Sequence, residues 1–545
     1  MNAPISVYPA SAQGASLRQI DWRFLLPSPP EGTFQHLVLF GGSAGLAERI
    51  IEVGLARRVS QEAPAAQSAD ALIILRQARI ALVEAAHSLQ PGGAFYYEVE
   101  RRWPASWPTI PGQIKHSLRD AGLSPTGIYW AWPDFATRQV YLPLSGMEML
   151  RWYLTSLAST ATLARPLFQL TPRLLTWFGG RFFPLVARCC AVTAIAGPPS
   201  EAPPALLQHP LLPAELRQPG LLPLILTPGE DDLNRVAIFA GAADRAQPAV
   251  VLKFWRSPDQ NAKTENEQAT LAAIRAPLDK VMRQTIPEPR GVLRWGQLVI
   301  GIESCAPGRS LSASMDMWGT PLRQKMDDLC LITRWLTEFH RQVQIRRLRW
   351  DAPELAEWVE KPLAVYQQAF GMTADEQRLF GEARQCAAAL VGLSSPMVWV
   401  HWGFSERNFF RADSKITIVD WESASPGPPL FDLLYFVTYW SYRVRRLRGD
   451  TARLRGFRKL FCEPADLVSI AAHQAIAQYM SKLDLDRRFL PLLLVLMWIE
   501  RALGRYQRQG KPAEPGVARS RNAYVDYIGA LAEYHDRLFA GTYEK

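Results

Sequence analysis

Residues 197–223 read GPPSEAPPALLQHPLLPAELRQPGLLP and hold eight of the 42 prolines of this 545-residue chain. Proline lacks a backbone N–H and fixes φ, so neither a helix nor a central strand can run through such a stretch. The composition suits a semi-rigid extended connector, with the interspersed leucine pairs favouring some packing onto a neighbour. It leaves 196 residues before it, long enough for a core of their own, and 322 after it. The expected organisation is therefore a first domain over 1–196, a connector over 197–221 and a second domain over 222–545.

In the first part, the apolar run His36–Phe40 ends in GGSAG at Gly41–Gly45, and helical periodicity follows over Leu46–Gly54. Strand, glycine turn and helix open a βα unit. A second such signal comprises Ala71–Leu75, a helical stretch Arg79–Leu89, a turn at Pro91-Gly92-Gly93 and a strand Ala94–Val99. Gly127–Trp132, Arg138–Leu142 and Ala187–Ile195 also read as strands. The alternation predicts an α/β domain with a mainly parallel sheet.

The second part opens with strand-like runs at Leu222–Leu226, Val236–Phe239 and Ala249–Phe254, then a helix over Glu265–Arg275 and a strand at Leu298–Glu303. From Pro321 the pattern is mainly helical, interrupted by Met397–Val400 and Lys415–Val419. Strands first and helices after predict an α+β bilobal domain, with lobes 222–305 and 306–545. Lys253 sits on the third strand-like run and Glu267 on the next helix, a pairing that can set an ammonium against phosphates. In VWVHWGFSERNFFRADSKITIVDWESASPGPPLFDLLYF (Val398–Phe436), Asn408 and Asp420 project from neighbouring loop ends. Such oxygen donors suit a hard cation shared with substrate phosphates.

These residues resemble the aminoglycoside phosphotransferase and choline kinase-like family, small-molecule relatives of the protein kinases. The family motif is H-G-D-x-x-x-x-N followed by a strand ending in D-W or D-F. His401 matches its His as a loop anchor, Asn408 its Asn, Asp420 its metal-binding Asp, and Asp432 a further Asp that orders the loop. Ile302–Gly308, with Glu303 and Cys305, is similar to the segment where the family binds adenine. The resemblance implies ATP and magnesium as cofactors, with Lys253 and Glu267 at the nucleotide and Asn408 and Asp420 at the metal. It also implies transfer of phosphate to a hydroxyl of a small or carbohydrate-like substrate. The catalytic Asp, however, falls on Gly403, and Trp402 replaces the motif's Gly. Glu406, in the same loop, is the one candidate for a substitute base. The loop Thr227–Leu233 has one glycine and three acids, a poor phosphate cradle. The alternative expectation is a pseudokinase-type module, holding nucleotide or serving a partner enzyme as a scaffold.

The first part more weakly resembles a reduced class I S-adenosylmethionine-dependent methyltransferase, a Rossmann-like fold. Gly41, Gly42 and Gly45 would then form the cofactor turn. Glu62 is the only local candidate for the ribose carboxylate, and the segment Gly45–Asp70 is short for that family.

Charge completes the reading. Lys and Arg number 61 against 51 Asp and Glu, a net +10. Tyr442–Lys459 alone carries eight Lys/Arg and one Asp, or +7. One reading is a solvated basic face. The other is a site around Arg443, Arg445, Arg446 and Arg448 for an anionic substrate or a partner protein. Aromatic residues are sparse there, so nucleic acid is not favoured. Six scattered cysteines show no C-x-x-C spacing, and the longest uncharged apolar run, Phe489–Ile499, has eleven residues. A spanning helix needs about 20. With no signal-peptide pattern at the N-terminus, the expected location is cytoplasmic.

Overall fold

The computed structural model describes residues 16–27, 32–62, 66–76, 78, 81–100, 110–144, 147–157, 187–198, 203–218, 221–229, 232, 234–241, 247–315, 320–512 and 514–540. Parts of two expected features lie outside them: Arg79, and Glu230, Asp231 and Leu233 of the acidic loop. So do residues 199–202 and 219–220 of the Pro-rich stretch. The chain forms two compact units, one of Ala12–Ala272 with Pro287–Arg309, the other of Ala273–Ile286 with Ser310–Lys545.

The described residues of the first unit form twelve strands. In chain order they are β1 (Phe34–Phe40), β2 (Ala56–Ser60), β3 (Ala69–Ile74), β4 (Leu89–Glu100), β5 (Leu123–Trp132) and β6 (Val140–Pro143). Then come β7 (Cys189–Ala196), β8 (Leu224–Leu226), β9 (Arg235–Ala240), β10 (Val250–Trp255), β11 (Pro289–Trp295) and β12 (Leu298–Ser304). They make a single sheet in the order β11-β12-β10-β9-β8-β6-β5-β7-β4-β3-β1-β2. The join is β8, which pairs with β9 on one side and with β6 on the other, Val140 opposite Leu226 and Tyr141 opposite Ile225. Strands from both sides of the Pro-rich stretch therefore share one ladder.

Only the β2-β1-β3-β4 end is parallel; the remaining pairs are antiparallel. The expected mainly parallel sheet is thus mixed, because short hairpin-type connections after β5 and β8 leave no room for crossover helices. The turn expected at Pro91-Gly92-Gly93 lies inside β4, where the register against β3 shifts between Ala69 and Ala71. Both faces of the sheet are buried, with Leu37, Leu39, Ile238, Leu252 and Ile300 on one and Val38, Phe95, Val192, Phe239 and Val251 on the other. The short helix Leu17–Leu25 packs Trp22 and Phe24 into the first of these layers. Leu206, Leu207, Leu212 and Leu216 of the Pro-rich stretch join the same layer, as their apolar area favours.

The second unit is mainly helical. Its described elements include the helices Leu322–Gln342, Phe431–Val444, Leu467–Lys482 and Phe489–Arg508. The eleven-residue apolar run lies in Phe489–Arg508, where residues Phe489 and Pro491–Ile499 are all buried in protein. A helix apolar all round is a core helix here. Among the described residues, no helix is long and apolar enough to cross a membrane. After β13 (Arg309–Ser310) come β14 (Arg346–Arg349), β15 (Ser394–Val400), β16 (Phe409–Ala412), β17 (Lys415–Ile418) and β18 (Ser425–Gly427).

Candidate functional site

In the first unit, Lys253 lies on β10, and its Nζ stands 3.4 Å from Oε1 of Glu267 on the helix Asn261–Arg275. A closer partner is Glu303, whose Oε2 is 2.8 Å away. Glu267 is paired in turn with Arg235 of β9. Burial raises the pKa of Glu303, opposed by the neighbouring Lys253. Sequence reasoning placed Glu303 at an adenine contact; the structure turns its side chain to the lysine. Cys305 is half-buried, its thiol pKa pushed up to about 12 by burial. Its backbone N–H donates to the Ala249 carbonyl at 3.4 Å, and the Ala306 carbonyl accepts from Gln247 at 3.4 Å.

The loop after β8 is bound to the start of the chain. Asp232 accepts from the backbone N–H of Leu17 at 2.7 Å and the Ser16 hydroxyl at 3.1 Å, and pairs with Arg49 at 2.8 Å. Its charge is therefore compensated, and the repulsion expected from this carboxylate is removed. Arg256, fully buried, reaches the carbonyls of Pro228 and Asn234 at 3.4 and 3.3 Å while pairing with Asp21 at 2.9 Å.

In the second unit, β15 delivers His401. Its Nε2 meets the Val419 carbonyl at 2.9 Å, and Nδ1 accepts the Gly403 N–H at 3.1 Å. The ring is thus the neutral tautomer with the proton on Nε2. Asp432, at the start of Phe431–Val444, accepts the N–H of His401 at 2.7 Å and that of Trp402 at 3.1 Å. Burial pushes its pKa up to about 7. Trp402 takes φ 61°, a left-handed conformation that costs a side-chain-bearing residue energy. Its indole N–H donates to Ser425 at 2.7 Å and its ring packs against Phe431, which offsets that cost. The loop path is therefore the one a glycine would take, kept with a tryptophan.

Asn408 donates Nδ2 to the Gly403 carbonyl at 2.9 Å, so its Oδ1 is the acceptor end of the amide. Phe409 pairs with Ile418, and the Val419 N–H donates to the Asn408 carbonyl at 2.9 Å. Asn408 and Asp420 thus flank the same end of the β16–β17 hairpin. An amide oxygen and a carboxylate there are donors of the kind magnesium takes.

Two of the expected features are held in ion pairs. Glu406 is buried, its Oε1 held at 2.8 Å by Nε of Arg443. That pairing holds the Glu406 carboxylate against Arg443 in the protein interior. The basic run is also less open than its charge suggests. Arg443 belongs to Glu406, Arg445 pairs with Asp466 at 2.6 Å, and Arg458 with Glu533 at 2.7 Å. Arg446 and Arg448 are exposed.

Residues 229–466 match the sequence profile of the phosphotransferase enzyme family. The C-terminal part of the chain has a kinase-like phosphotransferase fold. Similar solved structures include a glucosamine kinase in complex with glucosamine, ADP and inorganic phosphate, at 14% identity over 52% of this chain and 76% of that chain, TM-score 0.34. Another is a choline/ethanolamine kinase family protein from Mesorhizobium loti, at 15% identity over 55% and 90%, TM-score 0.28. A third is a macrolide 2'-phosphotransferase from Brachybacterium faecium, at 17% identity over 52% and 88%, TM-score 0.33. No curated protein matches the chain. In the same part, the amide of Gly403 is engaged by Nδ1 of His401 and its carbonyl by Nδ2 of Asn408.

The glycine turn of the first part does form, with φ of 83°, 100° and 80° at Gly41, Gly42 and Gly45. A Cβ at Gly42 would meet Leu46 at 2.7 Å and Leu75 at 3.1 Å, so the glycine there serves the packing of the chain's own side chains. The helix behind it, Leu46–Glu52, has only seven residues, and Glu62 is exposed beyond β2.

Proposed function

We propose that the C-terminal part is a nucleotide-binding module on a phosphotransferase scaffold, taking an adenine nucleotide with magnesium and transferring its phosphate poorly or not at all. The observation that carries this is Gly403. The loop around it keeps its hydrogen bonds to His401, Asn408 and Asp432, yet Gly403 has no side chain to orient or deprotonate a hydroxyl. Lys253 and Glu267 are the nucleotide-side residues, Asn408 and Asp420 the metal-side pair. Bound magnesium would supply charge neutralisation for the phosphates.

A second reading is a slow phosphotransferase acting on a small or carbohydrate-like hydroxyl. It is favoured by the intact Asp432–His401 anchor, since phosphoryl transfer depends mainly on positioning and electrostatics. Thermal unfolding with millimolar ATP or ADP, with and without magnesium, and with S-adenosylmethionine separates the possibilities. Ligand that binds the native state raises Tm. We expect a magnesium-dependent rise with either nucleotide and none with S-adenosylmethionine. No rise with any nucleotide ends both readings.

A further inference from the structure

Four ionisable side chains meet beneath the sheet of the first unit: Lys253, Glu267, Glu303 and Arg235. Their side-chain exposures are 13, 2, 1 and 15%. Two cations face two carboxylates, so the group is neutral without a ligand. The lysine–helix-carboxylate pair is the longer contact, 3.4 Å, and the Glu303 contact the shorter, 2.8 Å.

The strand register explains why Glu303 reaches the lysine. Lys253 lies opposite Gly301, and Glu303 is two residues further along β12. Residues two apart share a face, so the carboxylate is the diagonal neighbour of the ammonium. Glycine directly opposite adds no side chain to stand between them.

We infer that Glu303 is a specificity-determining residue, an internal counter-ion that occupies Lys253 and competes with nucleotide phosphate for it. The assignment rests on the nucleotide-binding reading. In the resting protein the nearer of the two carboxylates at Lys253 is Glu303, on a neighbouring strand. A triphosphate must either draw the ammonium away, leaving Glu303 buried without its nearest cation, or share that cation with a carboxylate already 2.8 Å from it. Either course disfavours polyphosphate, because a buried charge stripped of its partner is strongly unfavourable. The nucleoside moiety is untouched by this competition. Glu303 thereby weakens the grip on phosphate while leaving recognition of the nucleoside as it is.

The test is calorimetric titration of the full chain and of Glu303→Gln with Mg·ATP and with adenosine. Gln keeps the volume and the hydrogen-bonding oxygen but removes the charge. The expected result is a gain of about tenfold for Mg·ATP, or ~1.4 kcal/mol, with adenosine unchanged within about twofold. Unchanged or weaker Mg·ATP binding overturns the assignment. If neither protein takes adenosine or ATP, the nucleotide reading fails, and magnesium-free tripolyphosphate decides the role of Glu303 alone. Tighter tripolyphosphate binding by Glu303→Gln keeps the assignment; equal binding ends it. Circular dichroism melting verifies the fold, and Glu303→Met serves in the same titrations if the Gln variant does not fold.

Discussion

The carboxylate of Asp432 holds two consecutive backbone amides, those of His401 at 2.7 Å and Trp402 at 3.1 Å. Nε2 of His340 stands 3.9 Å from it. Burial lowers the pKa of His340 to about 3, so it stays neutral and supplies no counter-charge; Arg501 is the cation that opposes the shift of Asp432. With Asp432 raised from 3.8 to about 7, the folded state holds a proton that the unfolded chain releases. Its stabilising contribution is full below about pH 4 and is lost as pH rises through about 7. Asp432→Asn cannot ionise, so the decline in Tm over that window should flatten relative to wild type. At low pH the variant should itself be weaker by about 1–3 kcal/mol, since its amide nitrogen opposes one backbone N–H. Parallel Tm–pH curves for the two proteins would count against the shift.

Gly403→Asp adds a carboxylate where the proposed reading finds none. A Cβ there would lie 3.3 Å from Nδ1 of His401 and 3.4 Å from Nδ2 of Asn408, close but accommodated by shifts of a few tenths of an ångström. We expect ATP hydrolysis to rise by about a hundredfold or more, the usual reach of a positioned general base. Release of phosphate from labelled ATP measures it. A variant that binds nucleotide yet hydrolyses no faster than wild type shows that Gly403 is not what silences the loop.

How much of this was legible in sequence follows from the range of each interaction. His401, Asn408 and Asp420 could be placed because one loop and one hairpin carry them at fixed spacing. β11 was missed because Pro289, Gly291, Arg290 and Arg294 hide its apolar pattern. The β6–β8 pairing left no mark, since it joins strands of four and three residues across more than 80 positions. The side-chain partner of Glu303 was illegible for a similar reason, since it is set by cross-strand register. Glu406 was legible as a carboxylate near the loop, but its ion pair with Arg443, 37 residues away, was not.

That ion pair makes its own prediction. Glu406→Gln should lower stability by about 1–3 kcal/mol, because Arg443 loses its charged partner in a largely buried setting. Any residual ATP hydrolysis should persist within about twofold, which is small beside the loss expected on removing a true base. Urea unfolding and the phosphate-release assay read the two effects. Hydrolysis abolished in a folded variant would return Glu406 to a catalytic role.

Trp402 offers a conformational test. At φ 61° an alanine is strained where glycine is not, so the ordinary order of the two residues should hold in reverse of a helix or strand. Trp402→Gly and Trp402→Ala both lose the Ser425 hydrogen bond and the Phe431 contact. The Gly variant should nevertheless be more stable than the Ala variant by about 1 kcal/mol. Equal midpoints in urea would mean that the loop relaxes out of the left-handed region when the indole is removed.

The Asp21–Arg256 pair is fully buried at 2.9 Å, and Arg256 also carries the Pro228 and Asn234 carbonyls of the loop after β8. Arg256→Met removes the cation and strands the carboxylate of Asp21 in the core of the large sheet. Breaking a buried pair on one side costs about 3–5 kcal/mol. The double variant Asp21→Leu with Arg256→Met removes both charges and should recover part of that loss, leaving the share due to the two carbonyls. Denaturant unfolding of the single and double variants gives the coupling directly. If the double variant is as unstable as the sum of its singles, the two residues act independently and the loop is held by something other than this pair.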